Sequence, residues 1–155
     1  VIIPDINLLL YAYDAESPVQ AKAAAWLEGC FAGEEIVGLL PVVLFGFVRI
    51  GTNPRVYRTP MTPAQAAEHV RLWLAQPNAR VLEPGPGYLD RVLKLLVTLE
   101  TGGNWVTDAQ LAAAAMENDA VLHSADTDFL RFEGLRWFNP LSSVETRQNP
   151  RRRKS

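Results

Sequence analysis

Four carboxylates in this chain stand where short apolar runs give way to helical ones: Asp5, Asp108, Asp126 and Asp128. Asp5 follows Val1-Ile2-Ile3-Pro4, a β-branched run suited to the end of a buried strand. It precedes the Leu-rich run from Ile6 to Tyr13, which is too long for a second short strand and reads as a buried helix. Asp108 falls in the first turn of an alanine-rich stretch, and Asp126 and Asp128 follow the strand-like Val121-Leu122-His123. Each alone is an ordinary cap or turn residue, because a helix N-terminus favours negative charge. Together they have a second reading. In a parallel sheet the carboxyl ends of the strands share one edge, so Asp5 and Asp126 would meet there. Asp108 joins them if its helix starts at that edge. Gathered carboxylates repel unless protonated or paired with a cation. The chain has one cysteine, Cys30, and its two histidines, His69 and His123, are not at a ligand spacing. An all-oxygen site for Mg²⁺ or Mn²⁺ is therefore expected, not a zinc site. Such a site suits phosphodiester cleavage, in which the metal acidifies a bound water and neutralises charge on the phosphate.

Positioning those carboxylates requires strands alternating with helices. Ser17-Pro18-Val19-Gln20 has the form of a capping box, and Val19, Ala23, Trp26, Leu27, Cys30 and Phe31 recur at helical spacing up to Gly33. Ile36-Val37-Gly38 reads as a strand, and Pro41 opens an apolar helix over Val42 to Ile50, closed by Gly51. Thr62-Pro63-Ala64-Gln65 repeats the capping signal, with Ala66, Val70, Trp73 and Leu74 as the buried stripe. Arg80-Val81-Leu82 is a brief strand. Beyond Gly85-Pro86-Gly87, the residues Leu89, Val92, Leu93, Leu96 and Leu99 form the expected buried face of another helix. Phe129 to Phe132 is a short helical piece, and Leu135-Arg136-Trp137-Phe138 a last strand. The alternation predicts an α/β fold: a single domain with a central, mostly parallel sheet of about five short strands flanked by helices.

The 155 residues favour one domain with a real core, and 48% apolar and 21% charged residues exclude a disordered or membrane-embedded chain. No apolar stretch approaches the ~18 residues that span a bilayer, and no basic-then-apolar leader is present. One cysteine excludes an internal disulfide and suits a reducing cytosol, so a cytoplasmic protein is expected. Cys30 lies on a helical apolar stripe and reads as core. Residues 1–146 hold all 17 acids but only 10 of the 15 Lys and Arg, a balance of −7. An acidic body does not grip nucleic acid by bulk charge, but it can hold a cation. The domain is expected over 1–146. Residues 147–155, with Arg151-Arg152-Arg153-Lys154, form a basic and flexible tail that could add nonspecific phosphate affinity.

Pro4-Asp5-Ile6-Asn7, Val106-Thr107-Asp108-Ala109 with Leu111-Ala112, and Asp126-Thr127-Asp128-Phe129 resemble the successive acidic motifs of PIN domains. More narrowly, the chain resembles the VapC toxins of bacterial toxin–antitoxin pairs, from Ile2 to about Leu141, with Leu135 to Leu141 similar to the closing strand. Each motif is short; the set in order is fairly specific. The resemblance implies a metal-dependent endoribonuclease, a homodimer held inactive by a cognate VapB-like antitoxin. By position it makes Asp5, Asp108 and Asp126 metal ligands. Asp128 becomes a fourth acid or a group bonded to a ligand, and Asn7 and Thr107 orient ligands or water.

One departure stands out. The family's helix corresponding to Val42–Ile50 carries a Glu ahead of an Arg, whereas Leu44-Phe45-Gly46-Phe47-Val48-Arg49 keeps the Arg and has Gly46. Since Mg²⁺ keeps several waters, one missing carboxylate need not abolish a site. The alternative is a PIN-fold protein that binds RNA or antitoxin and cuts little. Arg49, Arg55 and Arg58 could receive RNA phosphates, or pair with carboxylates and water. Trp105, just before the acidic motif, is the tryptophan to weigh as a base-stacking surface against plain core packing. A phosphatase built on Asp126-Thr127-Asp128 is disfavoured, because the motif comes late and no suitably placed Lys follows.

Overall fold

The computed structural model describes residues 1–142; the domain limit at 146 and the basic tail expected at 147–155 lie outside the described residues. The elements follow in the order β1 (Ile2–Pro4), α1 (Ile6–Tyr13), α2 (Gln20–Ala32), β2 (Val37–Leu39), α3 (Pro41–Gly51), α4 (Pro63–Leu74), β3 (Ala79–Val81), α5 (Tyr88–Thr98), α6 (Trp105–Glu117) and β4 (Val121–His123). A short 3₁₀ turn (Thr127–Arg131) and β5 (Trp137–Phe138) complete them. The five strands pair in the order β3-β2-β1-β4-β5, and every neighbouring pair is parallel. This is the α/β architecture that the alternation of strands and helices predicts.

β1 lies at the centre. Ile2 pairs with Val37 on one side and with Val121 on the other, while Ile3 pairs with Leu122 and Pro4 with His123. Covered on both faces, Ile2, Ile3 and Pro4 are all buried, which is why an uninterrupted apolar run and not an alternating one encodes the strand. Pro4 ends the strand, paired with His123. The chain runs outward from β1 to β2 and β3, then crosses by α5 and α6 to β4 on the other side. That reversal puts a topological switch point between the carboxyl ends of β1 and β4.

The helices follow from composition. α6 buries Ala109, Leu111, Ala112, Ala113, Ala114 and Ala115; its small side chains let the backbone lie close against α5 and β4. α4 starts with the expected capping box, Thr62 and Gln65 each bonding the other's backbone N–H. α2 does not. It begins at Gln20, with no side-chain cap. Gln20 Nε2 instead donates 2.9 Å to the carbonyl of Ala12, and Ser17 Oγ accepts from Val19 N at 3.3 Å. The unpaired carbonyls at the end of α1 compete successfully for the amide that would have closed the box. α5 also departs from expectation. Tyr88 and Val92 face the core, with Leu96 and Leu99 half-buried, but Leu89 is 73% and Leu93 61% exposed, in line with Val97 at 75%. Cys30 is buried, as its place on the α2 stripe predicts.

On the surface, α2 and α4 border an apolar groove of about 380 Å³, lined by Leu27, Phe31, Leu72 and Trp73 among others. No helix among the described residues is long and apolar enough to cross a membrane.

Candidate active site

The carboxyl ends of β1 and β4 are tied by the Asp5 N–H, which donates 2.9 Å to the carbonyl of His123. Asp5 is 6% exposed and plays both parts that its position allows. Its Oδ1 accepts from Ile6 N at 2.7 Å and so caps α1. Its Oδ2 accepts from Ser124 Oγ at 2.6 Å. Ser124, fully buried just past β4, in turn accepts from Asp126 N at 3.0 Å, and Asp126 Oδ1 accepts from Asp128 N at 2.8 Å. The turn after β4 is thus wound on its own side chains, and one hydroxyl links it to Asp5. Sequence reasoning passed over Ser124 as a turn residue; the only available signal was a hydroxyl placed directly after a strand and two residues ahead of an Asp.

Asp108 comes from the first turn of α6. Burial, and then the charges of Asp5, Asp126 and Asp128, push its carboxyl up to about 7. Asp5 is raised as well, mainly by burial and less by Asp126, against the lowering effect of the Ser124 and Ile6 hydrogen bonds. The four acids named from sequence therefore act on one another electrostatically at the switch point. Among the described residues no group of three or more His, Cys, Asp or Glu side chains, as they stand, could hold a metal ion. In type, the donors are those a hard divalent cation prefers: carboxylate oxygens only, one of them raised by burial and by its acidic neighbours.

The other residues divide. Thr107 is half-buried beside Asp108, while Asn7 is exposed. Arg49, in the last turn of α3, and Arg55 are exposed and form no ion pair among the described residues, and every charge acting on Asp108 is a carboxylate. Burial depresses His123 to about 4 and so keeps its imidazole neutral, and its Nδ1 lone pair is taken up by Trp26 Nε1 at 3.0 Å. Trp105 packs against the core and carries the guanidinium of Arg131 over its ring, 4.5 Å from the centroid.

Gly46 is a packing position. A β-carbon there would run into Cδ1 of Ile6, so the glycine lets α3 seat against α1 beside the residue whose N–H the Asp5 cap accepts. A Glu at 46 would have to displace that side chain.

The family model for the PIN domain matches residues 2–135. Over 140 residues, the chain is 49% identical to ribonuclease VapC33 of Mycobacterium tuberculosis, covering 90% of this chain and 98% of that protein. Ribonuclease VapC37 of the same organism is 39% identical over 138 residues, 89% of this chain and 96% of its own. Among solved structures, VapBC2 from Rickettsia felis bound to a DNA fragment from its promoter superposes with a TM-score of 0.66 at 16% identity, covering 89% of this chain and 97% of that one. The sarcin–ricin-loop-cleaving toxin VapC20 of M. tuberculosis gives 0.64 at 18%, over 84% and 93%.

Proposed function

The chain belongs to the PIN domain family, and from that premise we propose that it is a divalent-metal-dependent endoribonuclease, the toxin of a VapBC-type toxin–antitoxin pair. What supports this reading is that Asp108 is pushed up to about 7, first by burial and then by the charges of Asp5, Asp126 and Asp128, on elements that converge at the switch point of the sheet. Asp5, Asp108 and Asp126 would hold Mg²⁺ or Mn²⁺, with Asp128 as a weaker fourth donor. The bound ion would supply an acidified water and neutralise charge on the phosphodiester. The chain's own residues do the positioning. Ser124 and the Ile6 amide fix the Asp5 carboxylate, each bonding one oxygen and leaving further lone pairs free. Ser124 also aims the backbone that presents Asp126. No protein nucleophile is involved. Asn7 and Thr107 would orient water, and Arg49 and Arg55 would receive RNA phosphates at their exposed positions.

A VapB-like antitoxin is the expected partner, and the apolar groove between α2 and α4 is the surface suited to one of its segments. The exposed Leu89, Leu93 and Val97 of α5 fit a second copy of the chain, giving a homodimer in the cytosol. The binding-only reading raised by Gly46 has no observation in its favour, since the glycine serves helix packing and the relatives are named ribonucleases. The test is cleavage of total RNA by the purified protein with Mg²⁺ or Mn²⁺. Cleavage should stop in chelator, and Asp5→Asn should lower it by about two orders of magnitude or more with the fold intact. Cleavage indifferent to both would refute the scheme.

A further inference from the structure

The guanidinium of Arg131 lies 4.5 Å from the centroid of the Trp105 ring, and the pair joins the two elements that bring carboxylates to the site. Trp105 is on α6, three residues before Asp108 and so on the same side of the helix. Arg131 ends the 3₁₀ turn, three residues after Asp128. The tryptophan is half-buried and anchored against the core; the arginine is exposed and forms no ion pair among the described residues. A cation without such an ion pair, on the turn that carries Asp128 and stacked on the helix that carries Asp108, is positioned for something from outside.

Chemistry narrows what that is. A guanidinium laid on an indole is held without using its N–H donors, so it remains free to grip a phosphate with two of them at once. The surroundings are open. Gly102 and Gly103, just ahead of Trp105, have nothing within 4 Å of where a side chain would start, and Asn104 is exposed. A strand of RNA laid toward the carboxylates has room to pass over this corner. An acidic body repels RNA in general, which makes an individually placed cation at the rim of the site more consequential.

We propose that Arg131, held by Trp105, is a substrate-positioning residue that binds a backbone phosphate of single-stranded RNA next to the one that is cut. The inference rests on the ribonuclease reading. The competing role is a clasp that only fastens the 3₁₀ turn to α6, and salt dependence separates the two. Binding of a fluorescein-labelled single-stranded RNA is measured by anisotropy across a KCl series, with Asp108→Asn protein to prevent cutting. Arg131→Gln in that background should weaken binding roughly tenfold. It should also reduce the slope of log K against log salt by about 0.7, the share of one phosphate contact on a single strand. Arg131→Lys should retain the slope. In the native background, Arg131→Gln should raise KM for RNA roughly tenfold with kcat changed far less. If Arg131→Gln fails to fold, Arg131→Lys and Trp105→Phe serve in its place. Lys must then keep the salt slope and Phe must weaken binding, or the clasp alone is right. Cleavage with unchanged KM and slope overturns this inference only; no binding and no cleavage by the parent protein overturns the ribonuclease reading and this with it.

Discussion

Asp108 shows how a site can be paid for in stability. A carboxyl raised to about 7 by burial and by Asp5, Asp126 and Asp128 takes up its proton in the folded state before it does in the unfolded chain. The folded state therefore holds more protons between the ordinary value of 3.8 and about 7. Its advantage is complete below that window and is lost as pH rises through it. In metal-free buffer the thermal midpoint contributed by this group should fall from pH 4 to pH 8. Asp108→Asn should remove that slope and raise the midpoint at pH 8 by about 2–4 °C, the effect of roughly 1 kcal/mol after allowing for solvent screening of a half-exposed group. The measurement is differential scanning calorimetry in chelator. An unchanged or lower midpoint for the variant at pH 8 would contradict the like-charge crowding. At this scale the acids were legible because Asp at a strand-to-helix junction is conspicuous. Ser124 was not, because serine after a strand is common in turns and only the fold puts its hydroxyl against a residue 119 positions away.

Among the elements, α1 and α3 make the most specific claim. Gly46 carries the usual helix-interior cost of about 0.5–1 kcal/mol relative to Ala, and it does so to leave space for Ile6 Cδ1. Gly46→Ala should thus fail to stabilise. Ile6→Val, which deletes the obstructing methyl, should cost about 0.5–1.5 kcal/mol alone. Combined, the two should recover a coupling of at least about 0.5 kcal/mol in urea denaturation. Strict additivity would mean that the two helices do not share that contact. α5 marks where periodicity runs out. Leu89, Leu93 and Val97 form one apolar stripe and Tyr88, Val92 and Leu99 an overlapping one, so hydrophobic spacing cannot say which turns inward. The capping box expected at Ser17 was lost to a neighbour distant by only a few residues, the Ala12 carbonyl, which spacing rules do not see. By contrast a mostly parallel sheet was readable, because short strands alternate with helices along the chain.

For the whole molecule, the exposed α5 stripe predicts self-association. Leu93, 61% exposed at its centre, stays outside the core formed by the described residues. Leu93→Glu should convert a dimer into a monomer by light scattering while leaving circular dichroism unchanged. A parent protein that is already monomeric at tens of micromolar would dismiss the interface. The molecule's order of assembly has a further consequence. Asp5 is made well ahead of its partners: Asp108 follows 103 residues later and Ser124, whose hydroxyl fixes it, 119 residues later. On the ribosome Asp5 waits without those partners, and the acidic cluster closes only after β4 has emerged and docked. Under the proposed ribonuclease function, a chain not yet extended past β4 is harmless to the message that encodes it.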